Sequence, residues 1–145
     1  IKSRGQINLM KLLFKEKEIK FILNNKGNIF KLLKNTNKNI NFDEIYISEI
    51  KSFKTKAWKF HKKKIQRIYI PIGKVKVGIF NPKTKKIKII ILGEKSKKLL
   101  TIYNGVFYGF KSISKQKSLI LNLTYYSKKN KDKPINQPSI TDIIR

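Results

Sequence analysis

What this sequence has little of narrows its chemistry first. It has no cysteine in 145 residues, which excludes a disulfide framework and thiolate chemistry. It has one histidine, too few for an imidazole-rich transition-metal site built within one chain. Acidic residues number 8 against 35 basic ones, for a formal net charge of +27, and only Arg4, Arg67 and Arg145 among the bases are arginine. Nucleic-acid readers lean on arginine for bidentate contacts to guanine and phosphate. The charge therefore reads as a lysine coat on a solvated surface, and nucleic acid is not an expected partner. No RNP-like aromatic motif, zinc knuckle or helix-turn-helix pattern supports one either.

Long apolar runs are also missing. The longest, Ile89 to Leu92, is strand-sized, whereas a bilayer-spanning helix needs roughly 20 apolar residues. The start, IKSRGQINLMKLL, lacks the apolar stretch of a secretory signal. The expectation is a cytoplasmic protein with no membrane partner. The length suits one domain able to bury a core without staples. With Met10 as the natural start, residues 1–9 form a peripheral N-terminal extension, 10–126 the domain, and 127–145 a polar, proline-punctuated tail.

What is present is alternation with a period of two. It predicts strands over 11–23 and 28–34, joined as a hairpin through the turn at Asn24 to Gly27, then over 42–50 after a polar loop at 35–41. A basic link, 51–56, leads to a strand around 57–61 and a lysine turn at 62–64. Further strands are predicted over 66–72, 74–80, 87–92, 99–103, 106–113 and 119–126, with turns at 81–84 and 93–98. Roughly ten short strands with almost no helical period describe an all-β sandwich or jelly roll.

The stretch Ala57 to Gly73, AWKFHKKKIQRIYIPIG, holds the histidine. On an extended strand Lys59 and His61 share one face while Trp58 and Phe60 share the other, which assigns the two aromatics to the core or a subunit interface. The spacing Lys59, His61, Gln66, Gly73 matches the first cupin motif, His-x-His-x4-Glu-x6-Gly. Gly93, Tyr103 and Tyr108 hold the corresponding positions of the second motif, with Tyr108 in place of its histidine. The expected architecture is a cupin-type jelly-roll barrel, a double-stranded β-helix, with these side chains meeting at one mouth. An ammonium, an imidazole, an amide and a phenol make a poor metal site, so no metal and no cofactor is expected there, and elemental analysis is the check.

The sequence resembles the dTDP-4-dehydrorhamnose 3,5-epimerase-like cupins, in particular a shorter branch with a Trp-Lys-x-His-Lys signature. The resemblance runs through Gly27-Asn-Ile, Glu44 to Ser48, Lys56 to Lys62, Ile70 to Lys76, Ile91 to Gly93, Leu100 to Phe110 and Leu119 to Asn122. It implies a homodimer acting on a nucleotide-diphosphate sugar with a 4-keto group, in the making of cell-surface polysaccharide. The implied chemistry is proton abstraction beside the ketone and return of a proton from the opposite face, which needs a base, an acid and a partner for the enolate oxygen.

Three positions depart from the family. Its basic histidine falls at Lys59, its lysine at Gln66 and its acid tyrosine at Ile120. The candidates that remain are His61 as base, Lys59 as stabiliser of negative charge, and Tyr108 as acid if its phenol is shifted down. Gln66, Asn122, Tyr125 and Tyr126 are candidate substrate contacts. Each has a plainer reading: a histidine hydrogen-bonded in the barrel wall, a surface lysine, a core tyrosine, aromatics that pack at a strand end. The competing function is a non-catalytic cupin that binds a sugar nucleotide or serves as a subunit of a biosynthetic assembly.

Overall fold

The structure is a computed structural model that describes residues 13–34 and 42–126. The expected extension over 1–9, the loop over 35–41 and the tail over 127–145 lie outside the described residues.

Period-two alternation becomes eleven strands among the described residues: β1 (Phe14–Glu18), β2 (Lys20–Ile22), β3 (Ile29–Lys31), β4 (Phe42–Ile50), β5 (Thr55–Phe60), β6 (Lys64–Ile72), β7 (Lys74–Asn81), β8 (Lys86–Gly93), β9 (Lys98–Ile102), β10 (Phe107–Ser112) and β11 (Ser118–Tyr126). They form a five-stranded sheet in the order β1-β9-β6-β11-β4, a four-stranded sheet in the order β5-β10-β7-β8, and the small hairpin β2-β3. All pairings are antiparallel. The protein is all-β and folds as a cupin-type jelly roll. No described helix is long and apolar enough to cross a membrane.

Two local expectations change. The single strand expected over 11–23 is split at Ile19, because the two halves serve different partners. β1 pairs with β9 in the main sheet, and β2 turns away to pair with β3. Ile19 is buried at the corner against Tyr69 and Leu99, so the apolar residue that looked like one more strand position anchors the break. Strand β5 also begins inside the expected basic link, at Thr55, since Lys56 and Thr55 pair with Phe110 and Lys111.

Each sheet turns its alternate residues inward. Ile68 and Ile70 of β6, Val75, Val77 and Ile79 of β7, Ile90 and Leu92 of β8, Leu100 and Ile102 of β9 and Ile120 of β11 form one core, all buried. Burying one such side chain stabilises by about 1.5–3 kcal/mol, so this cluster supplies the main driving force for closing the sheets on each other. Trp58 and Phe60 do face away from Lys59 and His61. They pack with Phe80 and Phe107 in a separate cluster on the outer face of the four-stranded sheet.

The barrel interior is polar at both ends, in different ways. At one end Ser112 and Ser118 are fully buried and hydrogen-bonded 2.8 Å apart, and Lys74 N donates to Ser118 Oγ at 3.2 Å. Gly73 sits here as the single-residue joint between β6 and β7, where the chain passes from one sheet to the other with φ +90°. That left-handed conformation is open to glycine and costly for other residues. The opposite end holds His61.

Candidate active site

His61 follows directly on β5, and its backbone is held in place: Gly105 N donates to His61 O at 2.9 Å and Asn104 Nδ2 donates to Lys62 O at 3.1 Å. These bonds join the end of β5 to the turn before β10, the turn carrying the second motif. The imidazole consequently points at residues from other strands. Its Nε2 lies 2.8 Å from Tyr108 Oη on β10 and 3.2 Å from Gln66 Oε1 on β6. The Tyr108 hydroxyl donates to Gln66 Oε1, and Gln66 Nε2 donates to Asn122 Oδ1 on β11. Asn122 Nδ2 ends the series on Ile120 O at 2.9 Å and Ser48 Oγ at 3.0 Å.

In front of this buried row lies a cavity of about 290 Å³ lined by Glu44, Tyr46, Lys59, His61, Lys64 and Thr124. It is near the lower end of the roughly 300–1,000 Å³ of small-molecule pockets. Such a space admits a sugar ring and leaves the rest of a larger ligand outside. Lys59 Nζ donates to Tyr46 Oη at 3.2 Å and lies 5.3 Å from the centre of that ring. At the rim Lys64 and Asp43 form an ion pair at 2.6 Å, and Tyr126 Oη donates to Asp43 Oδ1 at 3.2 Å.

The structure thus brings Lys59, His61, Gln66 and Tyr108 to one end of the barrel, as the motif spacing implies. It divides the expected substrate contacts. Gln66 and Asn122 are each 1% exposed and lie behind His61, not in the cavity wall. Tyr125 belongs to the outer face. A bulge in the β11–β4 pairing falls between Thr124 and Tyr125, and Arg67 sits 5.0 Å from the Tyr125 ring centre. Tyr126 is at the rim, with Lys64 5.5 Å from its ring centre.

Sequence reasoning missed Glu44, Tyr46, Lys64 and Thr124 as cavity lining. A signal for the first two existed, since Glu44, Tyr46 and Ser48 form the polar face of a strand whose other face carries Ile45 and Ile47. Ile45 and Ile47 face outward and are 66% and 62% exposed, so the apolar side of β4 is the one turned away from the barrel.

The electrostatics separate the two candidate proton carriers. Burial lowers the His61 pKa below its usual 6.5, with a smaller contribution from the Lys59 and Lys64 charges, against the opposing hydrogen bond to Gln66. For Tyr108 the expectation is corrected: burial pushes its phenol up, not down. A phenol 1% exposed and committed to Gln66 is a hydrogen-bonding support for His61, not a proton donor to a ligand. Among the described residues no three His, Cys, Asp or Glu side chains gather as metal ligands.

A jelly roll with a polar mouth, a neutral histidine and a lysine in the same wall defines a cupin whose candidate chemistry lies in acid–base groups. The chain has the fold of the dTDP-4-dehydrorhamnose 3,5-epimerase-like cupins. It superposes on a dTDP sugar isomerase from Desulfovibrio desulfuricans G20 with a TM-score of 0.71 at 26% identity, over 80% of this chain and 78% of that one. It superposes on the dTDP-4-dehydrorhamnose 3,5-epimerase of Bacillus anthracis str. Ames, solved with TDP and PPi, with a TM-score of 0.68 at 13% identity over 80% and 74% of the two chains. A third similar structure is a point mutant of the 3,4-ketoisomerase QdtA from Thermoanaerobacterium thermosaccharolyticum, in complex with TDP-4-keto-6-deoxyglucose. There the TM-score is 0.64 at 18% identity, over 83% of each chain. No protein-family model and no curated protein matches the sequence.

Proposed function

We propose that this protein binds a nucleotide-linked 4-keto sugar with the sugar ring in the cavity and moves a proton at a carbon beside the ketone. The observation that carries this reading is the His61 imidazole, kept neutral by burial, backed by Tyr108 and Gln66, and sharing a cavity wall with the Lys59 ammonium. In the forward step His61 takes the proton from the carbon. The electron pair of that C–H bond moves to the adjacent carbonyl, and the enolate oxygen gains an ion-pair partner in Lys59. Return of the proton to either face of the enolate regenerates the ketone. The similar structures solved with TDP or a TDP-linked keto sugar support the same ligand class.

The test is solvent-deuterium incorporation into a panel of 4-keto sugar nucleotides, because it registers proton abstraction even when no net isomer accumulates. Tight binding without incorporation from any member would instead favour the non-catalytic cupin.

The pH dependence follows from the shifted imidazole. His61 must be neutral to accept a proton, and its pKa lies below 6.5 in the folded protein. The acid limb of kcat/KM for exchange is therefore expected below pH 6.5, with a plateau at neutral pH. A limb centred above 6.5 would contradict the assignment of His61 as base. The linkage has a definite sign. The unfolded chain binds the proton more readily, so stability is full above pH 6.5 and falls as pH drops toward the folded pKa.

We also propose a homodimer through the outer face of the five-stranded sheet. Strand β4 carries no lysine, in a chain of net charge +27, and presents exposed Ile45 and Ile47 beside an apolar hollow lined by Leu121, Leu123 and Leu33. An apolar, lysine-free strip on a strongly basic chain suits a second copy better than open solvent. Replacing both isoleucines by lysine is expected to give a monomer in light scattering. A dimer persisting in that variant would move the contact elsewhere.

A further inference from the structure

The buried row behind His61 has a fixed sense, and it starts at a peptide carbonyl. Ile120 O can only accept a hydrogen bond, and it lies 2.9 Å from Asn122 Nδ2. Turning the Asn122 amide over would set two oxygens face to face at a site 1% exposed, where no bulk water relieves the repulsion. With the nitrogen placed, Asn122 Oδ1 must be the atom that accepts from Gln66 Nε2. That places the Gln66 carbonyl, Oε1, at the other end of the amide, facing Tyr108 and His61.

Oε1 can likewise only accept. It takes the Tyr108 hydroxyl proton, and it lies 3.2 Å from His61 Nε2. Tyr108 has one proton and has given it to Gln66, so toward His61 its oxygen is an acceptor too, at 2.8 Å. Both neighbours of Nε2 therefore require a hydrogen on that nitrogen.

We propose that Gln66 and Asn122 are positioning residues that hold neutral His61 as its Nε2–H tautomer and leave Nδ1 as the basic nitrogen. In a neutral imidazole the partner of one nitrogen decides which nitrogen keeps the lone pair. Here the deciding partner is an amide, whose carbonyl cannot itself take the proton, so the ring keeps Nε2–H and the lone pair stays on Nδ1. Gln66 and Asn122 thereby act on the reaction without touching the ligand. The consequence for catalysis rests on the reading of His61 as base, but the tautomer itself is readable with no substrate present.

The single histidine makes the measurement direct, because a uniformly ¹⁵N-labelled sample carries one pair of imidazole nitrogens. Long-range ¹H–¹⁵N spectra of the full chain above about pH 7 are expected to show a protonated, pyrrole-type Nε2 and a lone-pair, pyridine-type Nδ1. In Gln66→Met, of similar volume, Tyr108 loses its acceptor and turns its proton to Nε2, so the ring is expected to switch to the Nδ1–H form. In Tyr108→Phe the Gln66 carbonyl still accepts from Nε2, and the wild-type pattern is expected to persist. A wild-type spectrum of the Nδ1–H form, or an even mixture, overturns the proposal without any variant. So does a Gln66→Met spectrum identical to wild type in a folded sample. If the protein exchanges substrate protons, Gln66→Met is expected to lower kcat for exchange by about 10²-fold or more with KM little changed, since the base is withdrawn and the cavity wall is not. Failure to exchange with any substrate would remove the proposed reaction and leave the tautomer assignment standing.

Discussion

His61→Ala is expected to lower solvent-deuterium incorporation into a bound 4-keto sugar nucleotide by about 10² to 10⁴-fold, the usual contribution of one positioned general base. Nucleotide binding should be nearly unchanged, because the imidazole spends its hydrogen bonds on Tyr108 and Gln66. Lys59→Ala should behave differently. Its ammonium lines the cavity and reaches Tyr46 Oη, so its loss removes a charge partner for the enolate and for any phosphate at the mouth, weakening exchange and binding together. The pair of variants separates base from electrostatic partner by the split between kcat and KM. Exchange that survives undiminished in His61→Ala would take this histidine out of the mechanism.

The largest expected effect on stability is at the other end of the barrel. In Gly73→Ala the new methyl would lie 2.3 Å from Ser118 Oγ and 2.8 Å from Ser118 Cα, with φ at +90°. The backbone atom cannot step aside, and the hydroxyl is tied to Ser112 and to Lys74 N. Left-handed backbone costs an alanine about 1–2 kcal/mol and overpacking typically about 1–3 kcal/mol, for a loss of about 2–5 kcal/mol in urea unfolding. Gly105→Ala is the internal control. It shares φ +90°, but nothing lies within 4 Å of its added Cβ, so only the backbone part applies. Equal losses in the two variants would show that the packing against Ser118 carries no weight.

How far the residues alone reach can be judged at particular positions. The faces of β7 were legible, because in an extended chain successive side chains point opposite ways whatever lies around them, and Val75, Val77 and Ile79 could only share a side. The same rule placed Lys59 with His61 and set Trp58 and Phe60 against them. Motif spacing reached further and put Gln66 and Tyr108 at the same end. These properties are local, or follow from intervals along the chain, and short-range geometry determines them.

What the tertiary structure decided depends on distance in sequence and on burial. Tyr46 and Asn122 are 76 positions apart, and only the antiparallel register of β4 with β11 makes them neighbours. The β2–β3 arm separates from β1 because Ile19 finds Tyr69 and Leu99, residues no local pattern connects to it. Alternation along β11 sets Tyr125 on the face opposite Asn122, but its contact with Arg67 comes only from the pairing of β11 with β6. Gln66 and Asn122 are candidate substrate contacts in the sequence. Closure of the barrel buried them instead, and a buried amide must spend its donors and acceptors on the protein. For the same reason the Tyr108 phenol moves up where an acid would need to move down. The residue types that can do the chemistry are written in the chain, and their protonation and the sense of their hydrogen bonds come from the desolvated surroundings that only the closed barrel provides.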